Sequence, residues 1–157
     1  VPPDHSMKDL KKEKKLKDFE ISREFISLLK QAGEARGFRC SPWYGGTRRI
    51  SRNIIEILGS LNCLVYFKVR SGEPLRWGVT VNRIEELNRS DKKWFIVLLY
   101  ESPETGYLLS SDDVNRYRSI WALGRDGDYK VGPGSYLQFN RPFNSFAEFV
   151  VRLINSF

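Results

Sequence analysis

The sequence predicts an α/β domain in which a mixed central β-sheet is flanked by helices. Three observations carry that expectation. Phe25, Ile26, Leu28, Leu29 and Ala32 recur at helical spacing. Two apolar runs, residues 54–58 and 63–69, flank a Gly-Ser-Leu-Asn turn in the manner of a β-hairpin. Residues 94–100, Trp-Phe-Ile-Val-Leu-Leu-Tyr, are apolar throughout, as a central strand covered on both faces must be.

In chain order, residues 1–6 precede Met7, the only methionine, and read as a cloning scar outside the fold. Residues 7–19 form a charged lead-in, with Lys8, Lys11, Lys12, Lys14, Lys15 and Lys17 against Asp9, Glu13 and Asp18. Charge runs usually solvate one face, so a solvated or frayed helix is expected ahead of a basic arm on phosphate. Residues 20–157 are expected to make a single domain. A core-packed helix over 22–36 stops at Gly37. After the hairpin, residues 74–78 form a loop or short edge strand with Trp77 as a packing residue. Thr80 or Asn82 then caps a helix through Ser90, and the Asn82–Glu85 spacing resembles a capping box. Tyr107 to Leu109 return as a strand, and Asp112 and Asp113 suit the first turn of a short helix. Residues 121–139 alternate turn signals with short β-like runs. Ser145-Phe-Ala-Glu148 is a capping box that opens a last helix over 146–156.

The 157 residues are 41% hydrophobic and 13% aromatic, which excludes a disordered chain and suffices for one core. The net charge of +7 suits an anionic partner, nucleic acid or an acidic surface. No apolar run approaches the roughly 20 residues of a membrane span, so no membrane partner is expected. Cys40 and Cys63 have no metal-ligand spacing, and His5 is the only histidine, which leaves little room for zinc chemistry or a histidine base. Cys63 reads as a small buried hydrophobe in a reducing cytoplasm. Gly132-Pro-Gly134 lacks the following Lys-Ser/Thr of a phosphate loop.

Residues 37–53 concentrate Arg39, Arg48, Arg49 and Arg52 with no acid among them, around Trp43-Tyr44-Gly45-Gly46. Arginines make forked bonds to phosphate, and exposed aromatics stack on bases. A surface loop whose Trp43 and Tyr44 fold back on the core is the competing reading. Arg116, Tyr117 and Arg118 extend a basic face or simply line a half-exposed helix.

Along the hairpin, Asn53, Ile55 and Ile57 share one face of the first strand. Leu64, Tyr66, Lys68 and Arg70 share one face of the second. A lysine within an apolar strand needs a reason, because an unpaired buried ammonium is costly. Its spacing resembles the core of the restriction-endonuclease-like, or PD-(D/E)XK, nuclease superfamily. There an Asp opens one strand, and the next carries Glu-x-Lys. Lys68 falls on the motif lysine, Asn53 on the Asp position and Tyr66 on the Glu position. The helix at 22–37, with Glu24 in its first turn, is similar to the superfamily's leading helix. The helix and buried strand after residue 80 fit its layout, so the resemblance covers about residues 20–100.

The resemblance implies a restriction-endonuclease-like fold, a DNA partner and a place in prokaryotic restriction, defence or repair. It also implies a catalytic set of Asn53, Tyr66 and Lys68, degenerate because only one signature residue survives. Magnesium is held by carboxylates, whereas Asn is neutral and Tyr is protonated near neutrality, with a pKa of about 10. The expectation is therefore no cofactor and a nucleic-acid-binding surface of Trp43, Tyr44, Arg48, Arg49, Arg52, Lys68 and Arg70. An active Mg²⁺-dependent endonuclease is the alternative, if Asn53 stands for a native Asp or Glu24 has migrated into the site. Glu56 points to the other face from Asn53. A protein-interaction module, in the form of a homodimer, is a third reading.

Overall fold

The computed structural model describes residues 7–45, 48–133 and 141–157. Residues 1–6, Gly46 and Gly134 therefore lie outside the described residues. In chain order the elements are α1 (Met7–Arg36), β1 (Phe38–Pro42), β2 (Tyr44–Gly45), β3 (Arg48–Arg49), β4 (Ile54–Gly59) and β5 (Cys63–Arg70). They continue as β6 (Trp77–Thr80), α2 (Val81–Arg89), β7 (Trp94–Tyr100), β8 (Gly106–Ser110), α3 (Ser111–Tyr117), β9 (Ala122–Leu123), β10 (Asp128–Val131) and α4 (Phe146–Asn155).

The main sheet has the order β1-β4-β5-β7-β8. Its pairs are antiparallel except β5 with β7, which run parallel across the α2 crossover. The fold is thus α/β with a mixed central sheet. Strand β7 lies inside the sheet and is buried over its first six residues, as a strand covered on both faces should be.

One face of the sheet presents Ile55, Ile57, Val65, Phe67, Phe95 and Val97 to Phe25 and Leu29 of α1 and to Phe149 and Leu153 of α4. The other face presents Ile54, Leu64, Tyr66, Ile96 and Leu98. This second face is covered by Ile84 and Leu87 of α2, Val114 of α3, and a further sheet of order β6-β10-β9. Trp77 on β6 is 1% exposed, and its indole N–H donates to the Leu99 carbonyl at 2.8 Å, which meets the donor's need inside the core.

The lead-in and the following helix are one element. Helix α1 runs unbroken from Met7, and its first residue buried in the core is Ile21. The earlier turns are rich in lysine, which favours helix without needing burial. Two side-chain ties hold this stretch to the sheet ends: Lys17 to Glu101 at 2.5 Å and the Ser71 hydroxyl to Asp18 at 2.5 Å. Lys17 and the Gly72 N–H hold the Glu101 carboxyl below the usual carboxylate range. Gly37 ends the helix with φ of +85°, a conformation that side-chain-bearing residues avoid.

The helix starts follow local chemistry. The Ser145 hydroxyl accepts from the Glu148 N–H at 3.1 Å, while the Glu148 carboxylate accepts from Asn144 N–H at 3.0 Å, one residue before the expected partner. Ser110 caps α3 through the Asp113 N–H at 3.2 Å. The Asn82–Glu85 box does not form. Helix α2 begins after Thr80, and Glu85 pairs instead with Arg118 at 2.9 Å, a tertiary contact that outcompetes the local one.

Candidate functional site

The hairpin register decides which residues can meet. Ile54 lies opposite Tyr66 and Ile55 opposite Val65. One step further, the Phe67 N–H donates to the Asn53 carbonyl at 2.9 Å, so Asn53 stands opposite Phe67. Residues directly opposite share a face. Phe67 faces α1, whereas Tyr66 belongs to the cluster beneath β6 and α2. The expected convergence of Asn53, Tyr66 and Lys68 is therefore corrected. Asn53 sits at the register of one face, Tyr66 and Lys68 at that of the other.

Each of the three has another occupation or setting. The Asn53 side-chain amide donates to the Phe67 carbonyl at 2.9 Å, and its own N–H donates to the Ser51 hydroxyl at 3.1 Å. It finishes the ladder where the backbone turns away. Tyr66 is 2% exposed, and its hydroxyl accepts the Thr80 N–H at 3.3 Å, so it is a core aromatic with a local partner. Lys68 is half-buried opposite Leu98, without an ion pair among the described residues. Its flexible stem can pack on the sheet while the amine reaches water.

Glu24 does not join them. It is exposed on α1 and lines a groove with Glu20, Glu101 and Glu104, on the helix side of the sheet. Glu56 is paired with Lys92 at 3.1 Å. Among the described residues no group of three acidic, histidine or cysteine side chains could hold a metal ion. The positions that the resemblance assigns to magnesium do not fit it: one amide is spent on a carbonyl, and one phenol is buried under a second sheet.

Within the arginine segment, β2 and β3 pair antiparallel as the arms of a small hairpin. Tyr44 pairs with Arg49 and Gly45 with Arg48, and the Ile50 N–H donates to the Trp43 carbonyl at 3.0 Å. Trp43 and Ile50 pack against the core beneath the second sheet, so Trp43 folds back and is withdrawn from the expected contact surface. Tyr44 is 52% exposed and shares one face with Arg49. Arg48, Arg49 and Arg52 are exposed, and none makes a side-chain ion pair among the described residues. Arg70 is partly engaged, its Nε donating to the Pro74 carbonyl at 3.0 Å.

Where this hairpin meets α1 there is a cleft of about 250 Å³. Lys30, Arg49 and Arg52 line it together with Ser41, Cys40 and the apolar residues Ile26, Pro42, Ile54 and Ile55. Among the described residues, no acidic one lines it. Desolvation pushes the Cys40 thiol up to about 11 against the opposing pull of Lys30, so it is a neutral wall and not a thiolate nucleophile. Lys30 is the residue that reading the sequence missed. A usable signal existed: Lys30 is one turn beyond Ile26 on the same helix face, at the cleft's edge.

Replacing Asn53 by Asp tests the site directly. A carboxylate against the Phe67 carbonyl loses the donated hydrogen bond and leaves two acceptors facing each other, which should cost about 1–3 kcal/mol. Denaturant unfolding of Asn53→Asp should show that loss, and no Mg²⁺-dependent cleavage of plasmid DNA should appear. Gain of cleavage would mean that a metal site forms after all.

No family model matches the chain, and no curated protein matches it. Among solved structures it is similar to the Holliday junction resolvase Hjc of Archaeoglobus fulgidus, with 12% sequence identity and a TM-score of 0.44. That alignment covers 81% of this chain and 98% of the resolvase chain. A likeness this distant carries neither site residues nor an activity across.

Proposed function

We propose that this chain is a nucleic-acid-binding domain, with DNA as its partner, built on a restriction-endonuclease-like core that does not assemble a metal site. One observation carries the reading: Arg48 and Arg49 on the β2–β3 pair and Arg52 just beyond it are exposed, make no ion pair among the described residues, and accompany exposed Tyr44. Exposed cations without counterions are suited to phosphate, and Tyr44, on the same face as Arg49, gives a base a stacking surface. The order of leading helix, hairpin, crossover helix and parallel buried strand supports the superfamily resemblance.

The test is a fluorescence-polarisation titration with duplex and single-stranded DNA at two salt concentrations. Three neutralised phosphates on duplex should give log K falling against log salt with a slope of about −3. Micromolar or weaker affinity is expected. Absence of binding at low salt refutes the reading.

A further inference from the structure

We propose that the cleft between α1 and the arginine hairpin is a pocket for the terminal phosphate of a nucleic-acid strand, gripped by Lys30, Arg49 and Arg52. This rests on the nucleic-acid reading above and adds to it a specific ligand group and a residue, Lys30, from a different element.

Three cations line one cleft, no carboxylate lines it, and none of the three has an ion-pair partner among the described residues. Like charges brought together on a folded surface repel, and a bound anion removes that cost. Ser41 and Cys40 also line the cleft, and a hydroxyl or thiol there can donate a hydrogen bond to an oxyanion. A phosphate monoester at a strand end has a second pKa of about 6 and carries nearly two negative charges at neutral pH. An internal diester carries one. Three cations with no acid beside them match the more highly charged group.

Shape favours an end for a separate reason. A cleft of about 250 Å³ admits a phosphate and part of its sugar but not a duplex. An internal phosphate must lead chain away in two directions, between a helix wall at Ile26 and Lys30 and the hairpin wall at Arg49 and Arg52. A terminal phosphate needs one path out. The apolar lining, Pro42 and Ile55 among it, suits the sugar's carbon face, and Tyr44, across the hairpin from Arg49 on the same face, offers the first base a ring to stack on. Both the 5′ and the 3′ end present this monoester chemistry.

The experiment compares one labelled oligonucleotide in four forms: 5′-phosphate, 3′-phosphate, hydroxyl at both ends, and circular. Polarisation titrations use the full chain. One of the two phosphorylated forms should bind at least roughly tenfold tighter than the hydroxyl form, the equivalent of one additional charge-assisted contact. Which form wins assigns the end. Lys30→Ala should bring that ratio close to one, whereas Arg125→Ala, which removes an equal charge from the exposed turn between β9 and β10, should leave it unchanged. Equal affinity for phosphorylated, hydroxyl and circular forms overturns the pocket while leaving the nucleic-acid reading standing. Loss of the ratio in Arg125→Ala also overturns it, since net charge alone would then be the cause. No binding of any form at low salt overturns the underlying reading instead.

Discussion

The double variant Arg49→Ala/Arg52→Ala is expected to bind DNA about two orders of magnitude more weakly than the parent chain at about 50 mM salt. The size follows from counterion release: each phosphate contact on duplex contributes about 0.9 to the logarithmic salt slope, so two lost contacts remove about 1.8. The same titration across salt should therefore show a shallower slope, a readout that simple weakening by misfolding does not give. The fold should survive. Both residues are exposed, and their side chains hold no ion pair among the described residues. Surface substitutions away from packed or bonded features usually move stability by less than about 0.5 kcal/mol. An unchanged thermal melt with an unchanged DNA affinity would exclude this hairpin as the contact surface. Lys68→Ala makes the useful contrast. Lys68 is a half-buried residue opposite Leu98 and does not line the cationic cleft, so its loss should be felt more in the melt than in the titration.

How far the sequence could be read depends on the range of the interactions involved. The β4–β5 hairpin and the apolar β7 strand were legible because their signals are local: apolar runs, a four-residue turn, and the absence of polar residues where both faces are covered. The Ser145 cap and the acidic first turn of α3 at Asp112 and Asp113 were legible for the same reason. The face on which each hairpin residue lies was not. Alternation says that Tyr66 and Lys68 point together and that Asn53 and Ile55 point together, but only the pairing register says whether those two sets meet. A shift of one residue reverses the answer. Here the bond between Phe67 and Asn53 sets the register against convergence.

The second sheet was hidden by distance along the chain. Strand β6 pairs with β10, Trp77 opposite Val131, and neither strand exceeds four residues. Periodicity cannot be recognised in so short a run. Its consequence is chemical: Trp77 and Val79 share with Tyr66 the face on which an acid and a lysine would otherwise be reachable. The long lysine-rich start of α1 is the solvated helix its charge run led one to expect, continuous with the packed part. Its sparse leucines argue against a packed helix, and its first turns are indeed unpacked, but helix-favouring residues and two end ties continue the helix through them.

Phe25→Ala should produce the largest loss of stability in the chain, about 3–5 kcal/mol, the usual cost of removing a fully buried ring and leaving its cavity. Phe25 is fully buried. Its ring centroid lies 5.3 Å from that of Phe67 on β5 and 5.5 Å from that of Phe149 on α4. A third ring, Phe146, stands edge-on at 6.1 Å. One side chain thus joins the leading helix, the central sheet and the last helix, and no neighbour is free to collapse into the gap because each is pinned by its own element. Against a typical domain stability of about 5–15 kcal/mol, the variant would be close to unfolding at room temperature. Phe25→Leu keeps most of the apolar volume and should recover the greater part, since volume-conserving swaps usually cost under about 1.5 kcal/mol. Denaturant midpoints for the three proteins check the order. The functional consequence follows from the position of Lys30 on the same helix: when α1 loosens from the sheet, the helix wall of the cationic cleft leaves with it. Binding of a phosphorylated strand end should accordingly fall in Phe25→Ala and return in Phe25→Leu. A loss below about 1 kcal/mol in the alanine variant would mean that α1 is held by its polar end ties more than by this aromatic cluster.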